Sequence, residues 1–135
     1  EAVRYDQVFA AAYSPRPGTP ATKLADDVPP DVKRRRLNEL LAVQEQIGLD
    51  RNRAWLGREV SVLVDGVTAA RAHDHEADAG EQRAIADDDP AAVALVGRSR
   101  GNKLVHVRGG ADLVGRDVPV RIVHAGPYAL RGELV

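Results

Sequence analysis

Near Arg58 the hydrophobic period of this chain changes, and that change limits what it can fold into more than any other feature. Before it, Leu37, Leu40, Leu41, Gln44 and Ile47 share one face at helical spacing. After it the period is two. Glu59-Val60-Ser61-Val62-Leu63-Val64 reads as a strand, and Asp65-Gly66 follows as a turn signal. Further strands are expected at 93–98, 103–108, 117–124 and 128–134, with Gly109-Gly110, Gly115 and Gly126-Pro127 as the turns between them.

Short strands at this spacing predict a mainly β domain: a small antiparallel barrel, closed or nearly so and OB-like in character, preceded by a long helix. With aromatic residues at only 4% of the 135-residue chain, its core must be built from Val, Leu, Ile and Ala. Pro119 has no backbone donor, so its strand is expected to lie at an edge or to carry a bulge there. The helix should start at Pro30-Asp31, where a first-turn proline costs no needed donor and Asp26, Asp27 and Asp31 suit the positive end of the dipole. Gly48 weakens its middle by roughly 1 kcal/mol relative to Ala, and Gly57 supplies the stop. Upstream, Pro15, Pro17 and Pro20 fall within six residues and impose an extended, turning loop.

Several classes of function are excluded or made improbable by what is missing. No apolar run is long enough to span a bilayer and no signal-peptide pattern follows Glu1, so a cytoplasmic protein without membrane contact is expected. The chain has no Met, which predicts that Glu1 is not a natural start and that the chain is a fragment. It has no Cys, which rules out disulfides and thiolate-bound iron–sulfur clusters within it. No nucleophile elbow, phosphate loop or dinucleotide fingerprint is present, so no catalytic residue is assigned and an unaided enzyme is not expected. Residues 67–92 break the strand pattern. From Asp74 to Asp89 there are seven acids and one base, Arg83, as in a surface insertion. His73-Asp74-His75-Glu76 lies inside it, but no four converging ligands accompany it and no metal site is expected.

The stretch from Gly97 to Arg108 holds four Lys or Arg residues and no acid, in a chain whose formal net charge is -1. Arg98, Arg100 and Lys103 are the phosphate candidates, because cationic side chains, guanidinium forks above all, match phosphate oxygens. Asn102 either holds the turn or reads a base edge, with the turn role favoured. His106 either stacks on a base or packs as a half-buried strand residue, and Arg108 completes the candidate RNA-binding set. The alternative is an ordinary solvated hairpin. Lys33-Arg34-Arg35-Arg36 offers a second basic run, for which a solvated helix face is the simpler reading. Tyr128 is either a stacking platform or a core residue.

Four stretches, in order, resemble one family. Gly97-Arg98-Ser99 with Asn102-Lys103-Leu104-Val105-His106-Val107 resembles the basic signature of the TRAM domain in tRNA methylthiotransferases of the MiaB type. Tyr5 to Phe9 and Tyr13 to Ala21 resemble the end of that family's radical-SAM domain. Val28 to Ile47 resembles its linking helix, and Leu130-Arg131-Gly132-Glu133-Leu134 its closing strand. The resemblance implies three parts: a radical-SAM remnant over 1–27 with Val8 to Tyr13 as its last strand, a linker helix over 28–57, and a TRAM barrel over 58–135 with the 67–92 insertion. It implies a parent enzyme that uses two 4Fe–4S clusters and S-adenosylmethionine to place a methylthio group on N6-isopentenyladenosine beside the anticodon. This chain, lacking the cysteines, would contribute binding of the tRNA anticodon arm, as a monomer and without DNA or cofactor. Two alternatives stand beside it: the same family acting on a ribosomal-protein aspartate, and a free-standing module that binds a protein through its acidic insertion.

Overall fold

A computed structural model describes residues 3–68 and 92–135. The expected insertion, with His73, His75 and the acidic run, lies outside the described residues except at its ends, where Val67 closes a strand. Five strands form a closed barrel: β1 (Glu59–Val67), β2 (Val93–Ser99), β3 (Leu104–Gly109), β4 (Asp117–Ala125) and β5 (Leu130–Leu134). Their order around the barrel is β1-β2-β3-β5-β4, and β4 closes back onto β1. Four of the pairings are antiparallel. The fifth, β3 with β5, is parallel and sets His106 abreast of Arg131.

Alternation along the strands explains the interior. Val62, Val64, Leu95, Val105, Val107, Val118, Val120, Ile122 and Leu130 point inward and are buried. No aromatic residue takes part in this central cluster. Trp55 packs against it from the helix side, and Leu113, on a 3-10 turn at Ala111–Leu113, is a further partner.

Pro119 sits in β4 opposite Ser61, in a closed barrel with no free edge, and carries no bulge. The irregularity in β4 falls instead between Ile122 and His124. The Pro119 carbonyl accepts from the Val135 amide beyond the last β4–β5 rung, Val120 with Leu134. The missing donor therefore faces the end of β5, where no ladder bond is lost.

The helix α1 spans Pro30–Arg53, four residues short of Gly57. Gly57 instead closes the following turn at a φ of 75°. Of the expected apolar face, Gln44 and Ile47 are buried, together with Gly48 and Asn52. Leu40 is 47% exposed and Leu41 is exposed as well. The reason is reach: the carboxyl-terminal half of α1 lies against β4 and the Gly126-Pro127 turn. Gly48 is small for the same reason. A Cβ there would run into the Pro127 carbonyl oxygen, so this glycine permits a backbone contact.

Val8 to Tyr13, which the family resemblance makes a strand, forms none here. It has no ladder partner among the described residues, and Phe9 is 91% exposed. An isolated extended segment with no neighbouring strand has nothing to satisfy its backbone groups except water. The proline-rich loop is irregular as expected, apart from a 3-10 turn at Pro20–Lys23.

Candidate nucleic-acid interface

The basic stretch folds as the β2–β3 hairpin. Its turn is held by the Asn102 amide donating to the Ser99 carbonyl (2.8 Å) and the Ser99 amide donating to the Lys103 carbonyl (3.0 Å). Asn102 takes a φ of 58°, a left-handed conformation that Asn tolerates better than most residues. The Ser99 hydroxyl accepts from the Lys103 amide at 3.2 Å. Asn102 therefore shapes the turn, and its side-chain oxygen accepts from an Arg98 guanidinium nitrogen at 3.2 Å.

Alternation then sorts the remaining cations. Arg98 on β2 and Leu104, His106 and Arg108 on β3 occupy outward positions, since their neighbours Gly97, Val105, Val107 and Gly109 are buried. Arg100 is exposed in the turn. Arg108 donates to the Ala92 carbonyl at 3.0 Å, at the far end of the same face. His106 is half-buried and lies between β2 and β5, abreast of Val96 and Arg131. The outer β2–β3 surface thus carries cations at both ends, with a half-buried histidine between them.

Lys103 goes elsewhere. Its side chain is only 12% exposed. The ammonium donates to Asn52 Oδ1 and to Asp6 Oδ1, both at 2.9 Å. Asn52, buried on the last turn of α1, donates its Nδ2 to the Gly126 carbonyl at 2.7 Å. The same Asp6 oxygen also accepts from Arg51 Nε. The Arg51 hydrogen bond, and then that of Lys103, holds the Asp6 carboxyl below its ordinary value of 3.8. Sequence reasoning missed Asp6, Arg51 and Asn52. Asp6 and Asn52 lie 97 and 51 positions from Lys103, and no local pattern links residues so far apart.

The structure also places two other side-chain groups. Lys33 pairs with Asp26 at 2.5 Å and lies 5.4 Å from the Tyr13 ring centroid, while Arg35 faces Glu39 at 3.8 Å, so the helix run is partly engaged in local pairs. Tyr128 is 57% exposed in the β4–β5 turn and is no core residue. Partial desolvation, helped by Glu45, pushes its pKa above the ordinary value of 10.0. Among the described residues no group of three or more metal-capable side chains converges, and no helix is long and apolar enough to cross a membrane.

Strand order and closure define an OB-like barrel. No family model matches the chain. Whole-chain similarity is more specific. The chain is 39% identical over 133 residues to the tRNA-2-methylthio-N(6)-dimethylallyladenosine synthase of Bdellovibrio bacteriovorus, covering 98% of this chain and 25% of that protein. Proteins of the same name from Acetivibrio thermocellus and Bacillus mycoides are 36% and 35% identical, over 100% and 98% of this chain and 24% and 22% of their own lengths. The chain is thus similar along its whole length to proteins that carry this synthase name, and spans about a quarter of their length.

Proposed function

We propose that this chain is the RNA-holding C-terminal part of a tRNA methylthiotransferase, its barrel a TRAM domain that grips the anticodon arm. The modified base in that reading is N6-isopentenyladenosine beside the anticodon, which receives a methylthio group. The observation that carries the proposal is the end-to-end similarity to synthases named for that product. The outward cations of the β2–β3 hairpin support it, because phosphate contacts position an RNA while the remaining face is left to meet bases.

The chain has no Cys, so its residues do not fit an iron–sulfur cluster. The clusters and S-adenosylmethionine belong, in this proposal, to the three quarters of the relatives that the chain does not span. Its own work is to bind and orient RNA, as a cytoplasmic monomer that does not take DNA. Arg98 and Arg100 act as phosphate contacts, with Arg108 at the far end of the face. His106 meets a base, and Asn102 shapes the turn.

The test is the salt dependence of binding to an anticodon stem–loop. Each lost phosphate contact flattens the slope by about 0.7 to 0.9. Arg98→Ala with Arg100→Ala should therefore weaken binding and flatten the slope by roughly one to two units. Arg34→Ala with Arg35→Ala should change both much less. An unchanged slope in the hairpin variant, or equal losses in both variants, would move the RNA surface elsewhere.

A further inference from the structure

The pairing of Lys103 with Asp6 has an unusual layout. One carboxylate oxygen receives donors from two cations carried on different elements, Arg51 near the end of α1 and Lys103 in the β2–β3 turn. The Lys103 ammonium is anchored independently of Asp6. Asn52 Oδ1 holds the Lys103 ammonium at 2.9 Å, and Asn52 is itself fixed on the Gly126 carbonyl. Arg51 has its backbone in the last turns of the helix, and its guanidinium reaches Asp6 from there.

Asp6 is different. It lies in a stretch without helix or strand, attached through Arg4 to Asp50 (3.1 Å) and through the Tyr5 carbonyl to Gln44 Nε2 (3.0 Å). The surroundings are cationic beyond this pair. Arg4 and Arg53 flank the site with Asp50 as their acid, and Arg100 projects from the neighbouring turn.

We propose that Arg51 and Lys103 form a phosphate-binding site that the Asp6 carboxylate occupies in cis, and that a phosphodiester of bound RNA displaces Asp6 from it. The inference rests on the RNA reading above. A phosphate oxygen offers the same acceptor chemistry as Asp6 Oδ1, and a phosphate oxygen beside an arginine and a lysine forms charge-assisted hydrogen bonds. Asn52 keeps the ammonium aimed when the carboxylate leaves. The consequence is a coupling: RNA arriving at the hairpin releases the segment around Asp6 from α1, and that segment in turn competes with RNA. A purely structural role for the Asp6 pairs gives the opposite sign, since their loss would then loosen the hairpin and weaken binding.

Asp6→Asn in the 135-residue chain removes the competitor and keeps the side chain's size. Anticodon stem–loop affinity should rise about two- to five-fold, the scale of a partly exposed ion pair. The salt slope should steepen by about 0.7 to 0.9, one added contact. Asp31→Asn removes the same charge at the opposite end of α1, away from the site, and should give a smaller rise. Adding Lys103→Gln to Asp6→Asn should cancel the gain.

A second arm uses inorganic pyrophosphate. Half-saturation of the shifts of the Asn52 side-chain amide and the Lys103 backbone amide should occur at least about two-fold lower in Asp6→Asn than in the wild type. An equal or weaker pyrophosphate response in Asp6→Asn overturns the site. Wild-type binding to the stem–loop with no gain in Asp6→Asn overturns the displacement of Asp6 by RNA. Absence of any stem–loop binding by the wild type overturns the RNA reading instead, and the pyrophosphate arm then decides the site alone.

Discussion

Gly48→Ala separates two opposed expectations by the sign of the result. Helix propensity favours alanine by about 1 kcal/mol at an interior position. The tertiary contact works against it. An added Cβ would meet the carbonyl oxygen of Pro127, with the Pro127 carbonyl carbon at 3.3 Å and its Cα at 3.7 Å. These are backbone atoms, so no side-chain rotation relieves the clash. Their turn is also pinned, by Asn52 Nδ2 on the Gly126 carbonyl and by the Gly126 amide on the Ala129 carbonyl at 2.9 Å. Overpacking of this kind costs typically 1–3 kcal/mol, and stretching the Asn52 bond adds about 1 kcal/mol. Set against the propensity gain, the net is a destabilisation of about 1–3 kcal/mol. At this chain length a thermal scan should show Tm lower by roughly 3–10 °C. Asn38→Ala, exposed on the same helix, reports propensity alone and should raise Tm slightly. A Gly48→Ala protein that melts higher than the wild type, by about as much as Asn38→Ala, would refute the close approach of α1 to the β4–β5 turn.

Other outcomes follow from the core and from the Asp6 pairs. Leu95 is fully buried at the centre of the barrel, so Leu95→Ala should lower unfolding stability by about 2–5 kcal/mol, measured by urea titration with an unchanged m-value. The Asp6 carboxyl is depressed, so its pairing contributes fully above the ordinary aspartate range and is lost as pH falls through the lowered value. Chemical shifts of Arg51 and Lys103 should follow that acid-side transition, and Asp6→Asn should abolish it; a transition that persists in Asp6→Asn would assign it to another carboxylate.

How much could be read without the structure depended on the range of the interaction involved. The five strands were legible because alternation is local: β1 to β5 fall within a few residues of the expected spans, but β1 runs on through Asp65-Gly66, expected as a turn, with an irregularity between Val64 and Gly66. The turn role of Asn102 was legible for the same reason. An apolar stripe on α1 was legible too, but the stripe does not say how far along the helix a partner extends. The barrel reaches only its carboxyl-terminal half, leaving Leu40 uncovered. The sequence of the basic stretch by itself made Lys103 one cation among four.

Tertiary structure changed that assignment by bringing Asp6, Arg51 and Asn52 to its ammonium from distant positions. It likewise turned Gly48 from a weak point of a helix into a contact between backbones, and set β3 beside β5 in parallel. Sequence alone determined the period of each segment and hence its kind, because propensity and side-chain alternation act between near neighbours. Folding of the whole chain decided which charges meet, because a long-range ion pair or a close backbone approach depends on positions that only the folded chain brings together.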